Sequence, residues 1–241
     1  MMPIIVLPIL FISFVTFGLT GFGSGLVAMS LLVPIIGVEV AAPMFALLAI
    51  AAELLMLLRY RHSANFRSVW RLALGSLMAI PLGLTVIHNL DDSLVLVLLG
   101  VVVAGYGLYS LTSPHLPYIH NPNWAFPFGF ISGVLTGAYN TGGPPVVIYG
   151  NLARWEREEY KSNLPGMFIL NSIVVISSHA LSGHYNPSVL QTALMGLPVM
   201  LVGLVVGWSL DRYINPETFR KLVLVLLVLI GLRLILVNIQ G

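Results

Sequence analysis

Eight long apolar stretches follow one another along this 241-residue chain, and they constrain its fold more than any other feature. A helix of about 20 apolar residues crosses a bilayer, and backbone exposed to lipid must satisfy its own hydrogen bonds. Charged residues make up only 8% of the chain, against roughly 25% in soluble domains. The sequence therefore predicts an all-α polytopic membrane protein.

Two of the stretches are too long for one crossing and are interrupted by glycine-rich breaks, Leu19–Gly25 and Leu135–Pro145, which both begin Leu-Thr-Gly. Broken backbone is tolerated in a membrane only where protein or a polar cavity satisfies its hydrogen bonds. We therefore expect each long stretch to form a re-entrant helical hairpin. The predicted units are a hairpin at 3–36, helices at 38–58, 71–89 and 93–112, a linker at 113–123, a hairpin at 124–153, and helices at 163–183, 188–209 and 218–238.

The two halves of the chain, 1–112 and 124–241, resemble each other beyond the shared Leu-Thr-Gly. Further matching segments occur in the same order in both halves: Met44-Phe45 with Met167-Phe168, and Leu77–Pro81 with Leu194–Pro198. Apolar helices can match by chance, but a series of matches in one order favours a duplication. The sequence thus predicts two repeats, each with a hairpin followed by three transmembrane helices.

Loop charge indicates that the second repeat is inverted relative to the first. One loop of the first repeat is basic, whereas the equivalent loop at 184–187 contains no lysine or arginine. The deciding residues are Arg59, Arg61, Arg67 and Arg71 in the first repeat, and Arg154, Arg157, Lys161, Arg212, Arg220 and Lys221 in the second. Because basic loops stay cytoplasmic, we expect two inverted-topology repeats in the plasma (inner) membrane, with both termini on the outer side. Whether residues 3–20 form a full crossing stays open.

The two breaks are the candidate binding site. After each break the chain is expected to restart as a helix, at Leu26–Ile36 and Pro144–Ala153. A helix N-terminus carries free N–H groups and about half a positive charge, so two of them meeting near the midplane would bind an anion without a buried lysine or arginine. Alternatively, the glycines only permit close helix packing. The candidate substrate-binding residues are Gly21, Phe22, Gly23, Ser24, Gly25, Tyr139, Asn140, Thr141, Gly142, Gly143 and Pro144.

Three polar residues within apolar stretches are candidates for coupling or gating. Glu53 could carry a proton or gate the cavity, or it could pair with Arg59 or Arg61 near the interface. His179 could be a protonatable group or only a helix–helix hydrogen-bond partner. Asn171 could face the site or bridge two helices. Coupling to a proton or sodium gradient is expected because the chain has no nucleotide-binding motif.

The run Asn140-Thr141-Gly142-Gly143-Pro144-Pro145, the paired breaks and the duplicated layout together resemble the TauE/SafE sulfite exporter family of membrane transporters. The first break has Gly23-Ser24-Gly25 where that family often has a run of glycines. The resemblance implies a secondary transporter that exports sulfite, or an organosulfonate such as sulfoacetate, across the plasma membrane by alternating access around the breaks. Its partners are then a small anionic substrate and the lipid bilayer. A homodimer is the candidate assembly.

Other functions are compatible with parts of the sequence. The half-helices could line an anion channel, although the Asn-Pro-Ala signature of aquaporin-like hairpins is absent, or the site could transport another small anion. An intramembrane hydrolase would use Ser24 as nucleophile and His179 as base, but Phe22 replaces the first glycine of the rhomboid-like motif. No sequence feature brings His179 to Ser24, so we predict no enzyme activity, and we predict no cofactor. Because the chain has no cysteine and no basic face, we also predict no metal and no nucleic-acid partner.

Overall fold

A computed structural model describes residues 5–88, 90–112, 118–211, 213 and 216–239 of the chain. The start of the predicted first hairpin, residues 113–117 of the predicted linker and Arg212 lie outside the described residues, as do the side chains of Arg157 and Arg220. No strand occurs in the described ranges, and most of these residues are helical. The predicted all-α class is therefore confirmed.

The described part of the chain contains ten α-helices and two short 3-10 helices, Arg61–Ser63 and Pro122–Trp124. The α-helices are α1 (Val6–Thr20), α2 (Ser24–Ile36), α3 (Val38–Tyr60), α4 (Phe66–His88), α5 (Asp92–Thr112), α6 (Ala125–Tyr139), α7 (Gly143–Leu152), α8 (Arg157–Leu181), α9 (Pro187–Leu210) and α10 (Pro216–Asn238). Four helical segments within the described residues are long and apolar enough to cross a membrane: Val38–Ser63, Ser93–Thr112, Glu158–Leu181 and Pro187–Leu210. Length and hydropathy thus support a multi-pass membrane protein.

Two helices begin earlier than the apolar pattern predicts. α4 starts at Phe66 and α8 at Arg157, so both include polar and charged residues that precede the apolar run. In α8 this first turn is stabilised by a capping box, in which the Glu156 backbone N–H donates to the Glu159 carboxylate at 2.9 Å. Hydropathy identifies the apolar part of a helix that lies in the bilayer, whereas capping side chains determine the residue at which the helix begins.

Each glycine-rich break separates two short helices. α1 has 15 residues and is therefore about 22 Å long, short of the roughly 30 Å hydrocarbon core of a bilayer. It ends at Gly21 (φ 82°), and α2 follows Gly23 (φ 86°), both in the left-handed region that favours glycine. α6 ends at Asn140 (φ 52°), a residue type that tolerates the same conformation. Left-handed residues thus end the first arm of both hairpins.

Two of the packed helix pairs run antiparallel to each other along their contact. α3 and α8 are antiparallel, since Glu53 contacts Ser172 while Ser63, after the end of α3, contacts Ser162 near the start of α8. α5 and α10 are also antiparallel: a Cβ on Gly100 would meet Gly231 and Leu234, and one on Gly107 would meet Val228 and Leu224. Each of these pairs joins a helix from the first half of the chain to one from the second half.

The first arm of each hairpin packs in parallel against a helix of the other half. α1 runs alongside α9, with Gly18 against Gly207, and α6 runs alongside α4, with Gly133 against Ser76. A Cβ on Gly133 would overlap the Ser76 carbonyl oxygen, so only glycine permits this close approach of the two backbones. Glycine therefore permits close helix packing in these helix interiors.

The main core is formed around the first hairpin. Buried side chains of α1, α2, α3 and α9 form its largest cluster, which includes Phe14, Met29, Phe45 and Leu204. Large apolar side chains are exposed on the outer faces of the helices, among them Leu58, Met78, Leu194, Leu229 and Leu236. Such faces are expected where helices contact lipid instead of water. The two breaks therefore lie inside the bundle, enclosed by the longer helices.

Candidate functional site

The two breaks touch each other in the interior of the protein. Gly25, in the first turn of α2, faces the backbone carbonyl of Asn140, and a Cβ on Gly25 would overlap that oxygen. A Cβ on Gly143, the first residue of α7, would lie 3.7 Å from the Phe22 ring. Segments that are more than 100 residues apart in the sequence thus form one local structure, as their matched sequences predict.

The first break presents the N-terminus of α2. The Thr20 hydroxyl lies 2.7 Å from the Phe22 carbonyl oxygen and accepts a hydrogen bond from the Phe22 N–H at 3.3 Å, which closes the loop. The first hydrogen bond within the helix runs from the Val27 N–H to the Gly23 carbonyl at 3.1 Å. The N–H groups of Ser24, Gly25 and Leu26 therefore have no acceptor within their own helix.

The second break is held in place by side chains that the sequence assigned to substrate binding. The Asn140 amide donates to the Ala42 carbonyl on α3 at 3.1 Å, and the Tyr139 hydroxyl donates to the Val95 carbonyl on α5 at 3.1 Å. The Ser132 hydroxyl donates to the Gly142 carbonyl at 2.7 Å. These bonds fix the loop between α6 and α7, and in them the Tyr139 hydroxyl and the Asn140 amide nitrogen each donate to a backbone carbonyl.

The N-terminus of α7 has fewer donors than that of α2. Pro144 and Pro145 follow Gly143, and neither has a backbone N–H. Proline at the start of a helix has a suitable φ angle and loses no intrahelical bond. Within the first turn, the free donor is therefore the N–H of Gly143, while the helix dipole of α7 still contributes positive potential.

A cavity that is partly open to solvent lies between the breaks and the helices α3 and α8. The described part of the chain contributes no lysine or arginine to its wall. The lining residues are Phe17, Phe22, Gly23, Ser24, Gly25, Leu26, Phe45, Ala49, Glu53, Thr136, Asn140, Thr141, Gly142, Gly143, Phe168, Asn171 and Ser172. Neutral donors, one carboxyl group and several aromatic rings thus share one chamber.

Most of the candidate residues are brought together in this wall, and four are not. Gly21 packs against Lys161, with 3.1 Å between its added Cβ and the Lys161 Cα. Tyr139 and Pro144 are buried behind the cavity wall. His179 lies near the C-terminal end of α8, where its Nδ1 is 2.9 Å from the Nδ1 of His184. Glu53 and Asn171, which the sequence suggested for coupling or gating, both line the cavity.

Asn171 is a buried polar side chain in the cavity wall that lacks hydrogen-bond partners, which a ligand would supply. It is 1% exposed, and neither its amide nitrogen nor its amide oxygen has a hydrogen-bond partner in the described structure. Leaving a buried polar group unpaired costs about 1–3 kcal/mol. The Thr136 hydroxyl is likewise buried without a partner and lines the same cavity. A ligand with hydrogen-bonding oxygens would satisfy these groups.

Sequence reasoning missed several lining residues. Thr136 belongs to the repeated Leu-Thr-Gly, and Phe45 and Phe168 belong to the repeated Met-Phe pair, so the internal repeat already contained the signal. Ser172 follows Asn171 directly and donates to the Glu53 carboxylate at 2.8 Å. Its role depends on a contact between α3 and α8, for which the sequence has no local sign.

Comparison with known proteins agrees with this architecture. The model of the family described as "Sulfite exporter TauE/SafE" matches residues 6–234, almost the whole chain. The chain belongs to the TauE/SafE family. A relative from Cupriavidus necator, "Probable sulfite/organosulfonate exporter TauE", is 26% identical over 90% of this chain and 87% of its own length. A relative from Comamonas testosteroni, "Probable inner membrane transporter protein TsaS", is 29% identical over 70% of this chain and 74% of its own length.

No solved structure matches the chain. TauE/SafE proteins are transporters and not enzymes, which confirms the prediction of a non-enzymatic membrane protein and excludes the hydrolase alternative. In keeping with this, Ser24 lines the cavity whereas His179 contacts His184 and the Tyr185 ring.

In the loop after α8, burial raises the pKa of Tyr185 to about 12, so its hydroxyl stays protonated at neutral pH.

Membership of the TauE/SafE family leaves the role of Glu53 open, and the structure tests whether this residue pairs with an arginine. Glu53 does not pair with Arg59 or Arg61. The Arg59 guanidinium lies over the Trp208 ring, 4.7 Å from its centre, and the Arg61 Nε is 3.4 Å from a ring nitrogen of His62. The interpretation of an interfacial ion pair is therefore wrong, because α3 turns Glu53 toward Ser172 of α8, whereas Arg59 at the end of α3 and Arg61 in the following 3-10 helix contact other residues.

Proposed function

We propose that this protein is a secondary transporter that exports a small sulfur-containing anion, sulfite or an organosulfonate such as sulfoacetate. The observation that carries this proposal is the meeting of two helix N-termini in one cavity with the unpartnered amide of Asn171. The Cupriavidus necator relative, named "Probable sulfite/organosulfonate exporter TauE", supports the substrate class and the direction. Alternating access around the two breaks is the proposed mechanism.

The chemistry of the cavity wall suits an oxyanion. Three N–H groups at the start of α2, the Gly143 N–H and the Asn171 amide are neutral donors that can each bind one oxygen of a sulfite or sulfonate group. Neutral donors and helix dipoles bind an anion without the tight hold of a buried lysine or arginine, and a transporter must release its substrate. Phe22, Phe45 and Phe168 form an apolar part of the wall that can contact the carbon chain of an organosulfonate.

Thermal unfolding of the purified protein tests the substrate class. Sulfite, sulfoacetate, taurine, thiosulfate and sulfate are added separately to the protein in detergent. A ligand that binds only the folded state at 100 times its Kd stabilises the protein by about 2.7 kcal/mol, which in a chain of this size raises Tm by roughly 5–10 °C. We expect this shift with sulfite or sulfoacetate. Stabilisation by sulfate alone, or by none of the five compounds, would contradict the proposed substrate class.

We further propose that residues 1–112 and 124–241 are inverted repeats joined by the 113–123 linker, with both termini on the outer side. Equivalent helices must be antiparallel if the repeats are related by an axis in the membrane plane. The antiparallel pairs α3–α8 and α5–α10 support this relation. The hairpin arms support it too, since α1 with α9 and α6 with α4 are corresponding parallel pairs. The distribution of lysine and arginine supports the orientation.

Cysteine labelling in intact cells tests the inverted topology, and the natural chain contains no cysteine that would interfere. His62 and Ser182 are exposed and lie in the equivalent loops of the two repeats. With a membrane-impermeant maleimide, we expect Ser182→Cys to react in intact cells and His62→Cys to react only after the membrane is opened. Labelling of both positions from the same side would show that the repeats are not inverted.

A further inference from the structure

We propose that Glu53 binds a proton, and that the proton and the anion occupy the cavity together and cross the membrane together. This inference rests on the proposed function, because it assigns a coupling ion to the same cavity. Glu53 is 6% exposed and lines the cavity together with both breaks. A carboxyl group inside a membrane domain is costly to retain, so it is expected to have a functional role.

The neighbours of Glu53 provide no compensating charge. Its carboxylate accepts one hydrogen bond, from the Ser172 hydroxyl at 2.8 Å, and the unpartnered Asn171 amide is adjacent in the same wall. No other titratable side chain lines the cavity within the described part of the chain. A buried carboxylate that lacks a cationic partner is neutralised by a proton or by another cation.

The helices packed against α3 bring no second titratable group to the cavity in the described part of the chain. α2 and α9 contain no titratable residue. On α8, the charged residues lie at its first turns, where Lys161 pairs with Asp211 at 2.6 Å, and His179 lies near the opposite end beside His184. The remaining titratable groups of α3 and of the 3-10 helix that follows it are at the helix ends: Glu39, Arg59, Tyr60, Arg61 and His62. Glu53 is therefore the titratable group that faces the substrate.

The electrostatics of one shared cavity couple the two ligands. An ionised carboxylate about 7 Å from a bound anion, at an effective dielectric constant of about 20, weakens anion binding on the order of 50-fold. Protonation of Glu53 removes this repulsion. Because coupling between binding sites is reciprocal, the anion increases proton affinity by the same factor that the proton increases anion affinity. The two ligands therefore load together and are released together.

This coupling has a defined charge balance. On the loading side, the Glu53 carboxylate takes one proton from solution to form an O–H bond. On the opposite side, the same bond breaks and the proton is released with the anion. Sulfoacetate, a dianion at neutral pH, then crosses with one net negative charge, so the membrane potential still acts on it. Export follows the combined concentration gradients of the anion and the proton together with this potential.

The experiment uses full-length protein in liposomes, with the membrane potential held at zero by potassium and valinomycin. Sulfoacetate is the probe because it stays fully ionised between pH 6 and pH 8. With one proton moved per anion, a pH difference of one unit should produce about tenfold accumulation of sulfoacetate on the alkaline side. Glu53→Gln should lose this accumulation while sulfoacetate counterflow at equal pH continues, and that counterflow also reports that the variant is folded.

The matched control is Glu39→Gln, on the same helix but exposed at its start, which should accumulate sulfoacetate as the natural protein does. If Glu53→Gln does not fold, Glu53→Asp keeps the carboxyl group and should retain the pH response at a lower rate. Accumulation in Glu53→Gln equal to that of the natural protein would overturn the proton-coupling inference alone. Absence of counterflow with both sulfoacetate and sulfite in the natural protein would instead contradict the proposed function, and the inference would fall with it.

Discussion

Replacement of Gly25 by alanine is expected to reduce anion transport on the order of 100-fold while the protein still inserts and folds. The added methyl group would overlap the carbonyl oxygen of Asn140, which is backbone and cannot rotate away. The two breaks must then separate by about 1 Å, and a displacement of this size at a functional site can cost a factor on the order of 10². Overpacking of this kind costs about 1–3 kcal/mol of stability, which a multi-pass protein can tolerate.

Counterflow of sulfoacetate in liposomes and the Tm in detergent measure the two effects of Gly25→Ala separately. The matched control is Gly105→Ala on α5, where a Cβ would meet nothing within 4 Å. This control variant should transport at the natural rate. Normal counterflow in Gly25→Ala would show that contact between the breaks is not required for transport.

Replacement of Asn171 by leucine should lower anion binding at least about tenfold and leave Tm unchanged or higher. Leucine has the same branched shape, but it removes two buried polar atoms that have no partner in the folded protein. Removing such an unsatisfied group relieves about 1–3 kcal/mol of desolvation cost. If Asn171 is retained for substrate binding, its replacement should preserve or raise the stability of the protein while it lowers anion binding. Ligand-induced stabilisation and unliganded Tm, measured on the same sample, give both values.

The control for Asn171→Leu is the same substitution at a second asparagine, where we expect stability to fall and anion binding to be retained. Asn186 caps the N-terminus of α9, where its side-chain oxygen accepts a hydrogen bond from the Val189 N–H at 3.0 Å. Asn186→Leu should cost about 0.5–2 kcal/mol of stability through loss of the cap, with sulfoacetate binding retained. If Asn171→Leu also loses stability and keeps its affinity for the anion, then Asn171 is a structural residue and not part of the binding site.

The apolar stretches and the breaks could be found in the sequence because their causes are local. Helices this apolar require a membrane environment. Gly21, Gly23 and Asn140 are residue types that accept the left-handed backbone found where these helices end. The repeated Leu-Thr-Gly also indicated which two segments belong together, and they do meet at Gly25 and Asn140.

The direction of individual side chains could not be found in the same way. We expect Tyr139 and Asn140 to bind substrate, and only the structure shows that the Tyr139 hydroxyl and the Asn140 amide nitrogen also hold the break against α5 and α3. Glu53 is six residues before Arg59 in the sequence, but the packing of α3 turns it toward Ser172. Helix rotation is set by the partners of a helix, and those partners come from the other half of the chain.

Contiguous residues are enough to identify this chain as an all-helical membrane protein with two matched helix breaks, because bilayer length, backbone hydrogen bonding and glycine conformation are properties of local sequence. Which groups share the cavity depends instead on how the helices pack. Ser24 and Gly143 come from the two breaks, whereas Glu53 and Asn171 come from α3 and α8. The antiparallel contact of α3 with α8 joins residues more than 100 positions apart, and no periodicity within one helix specifies such a contact.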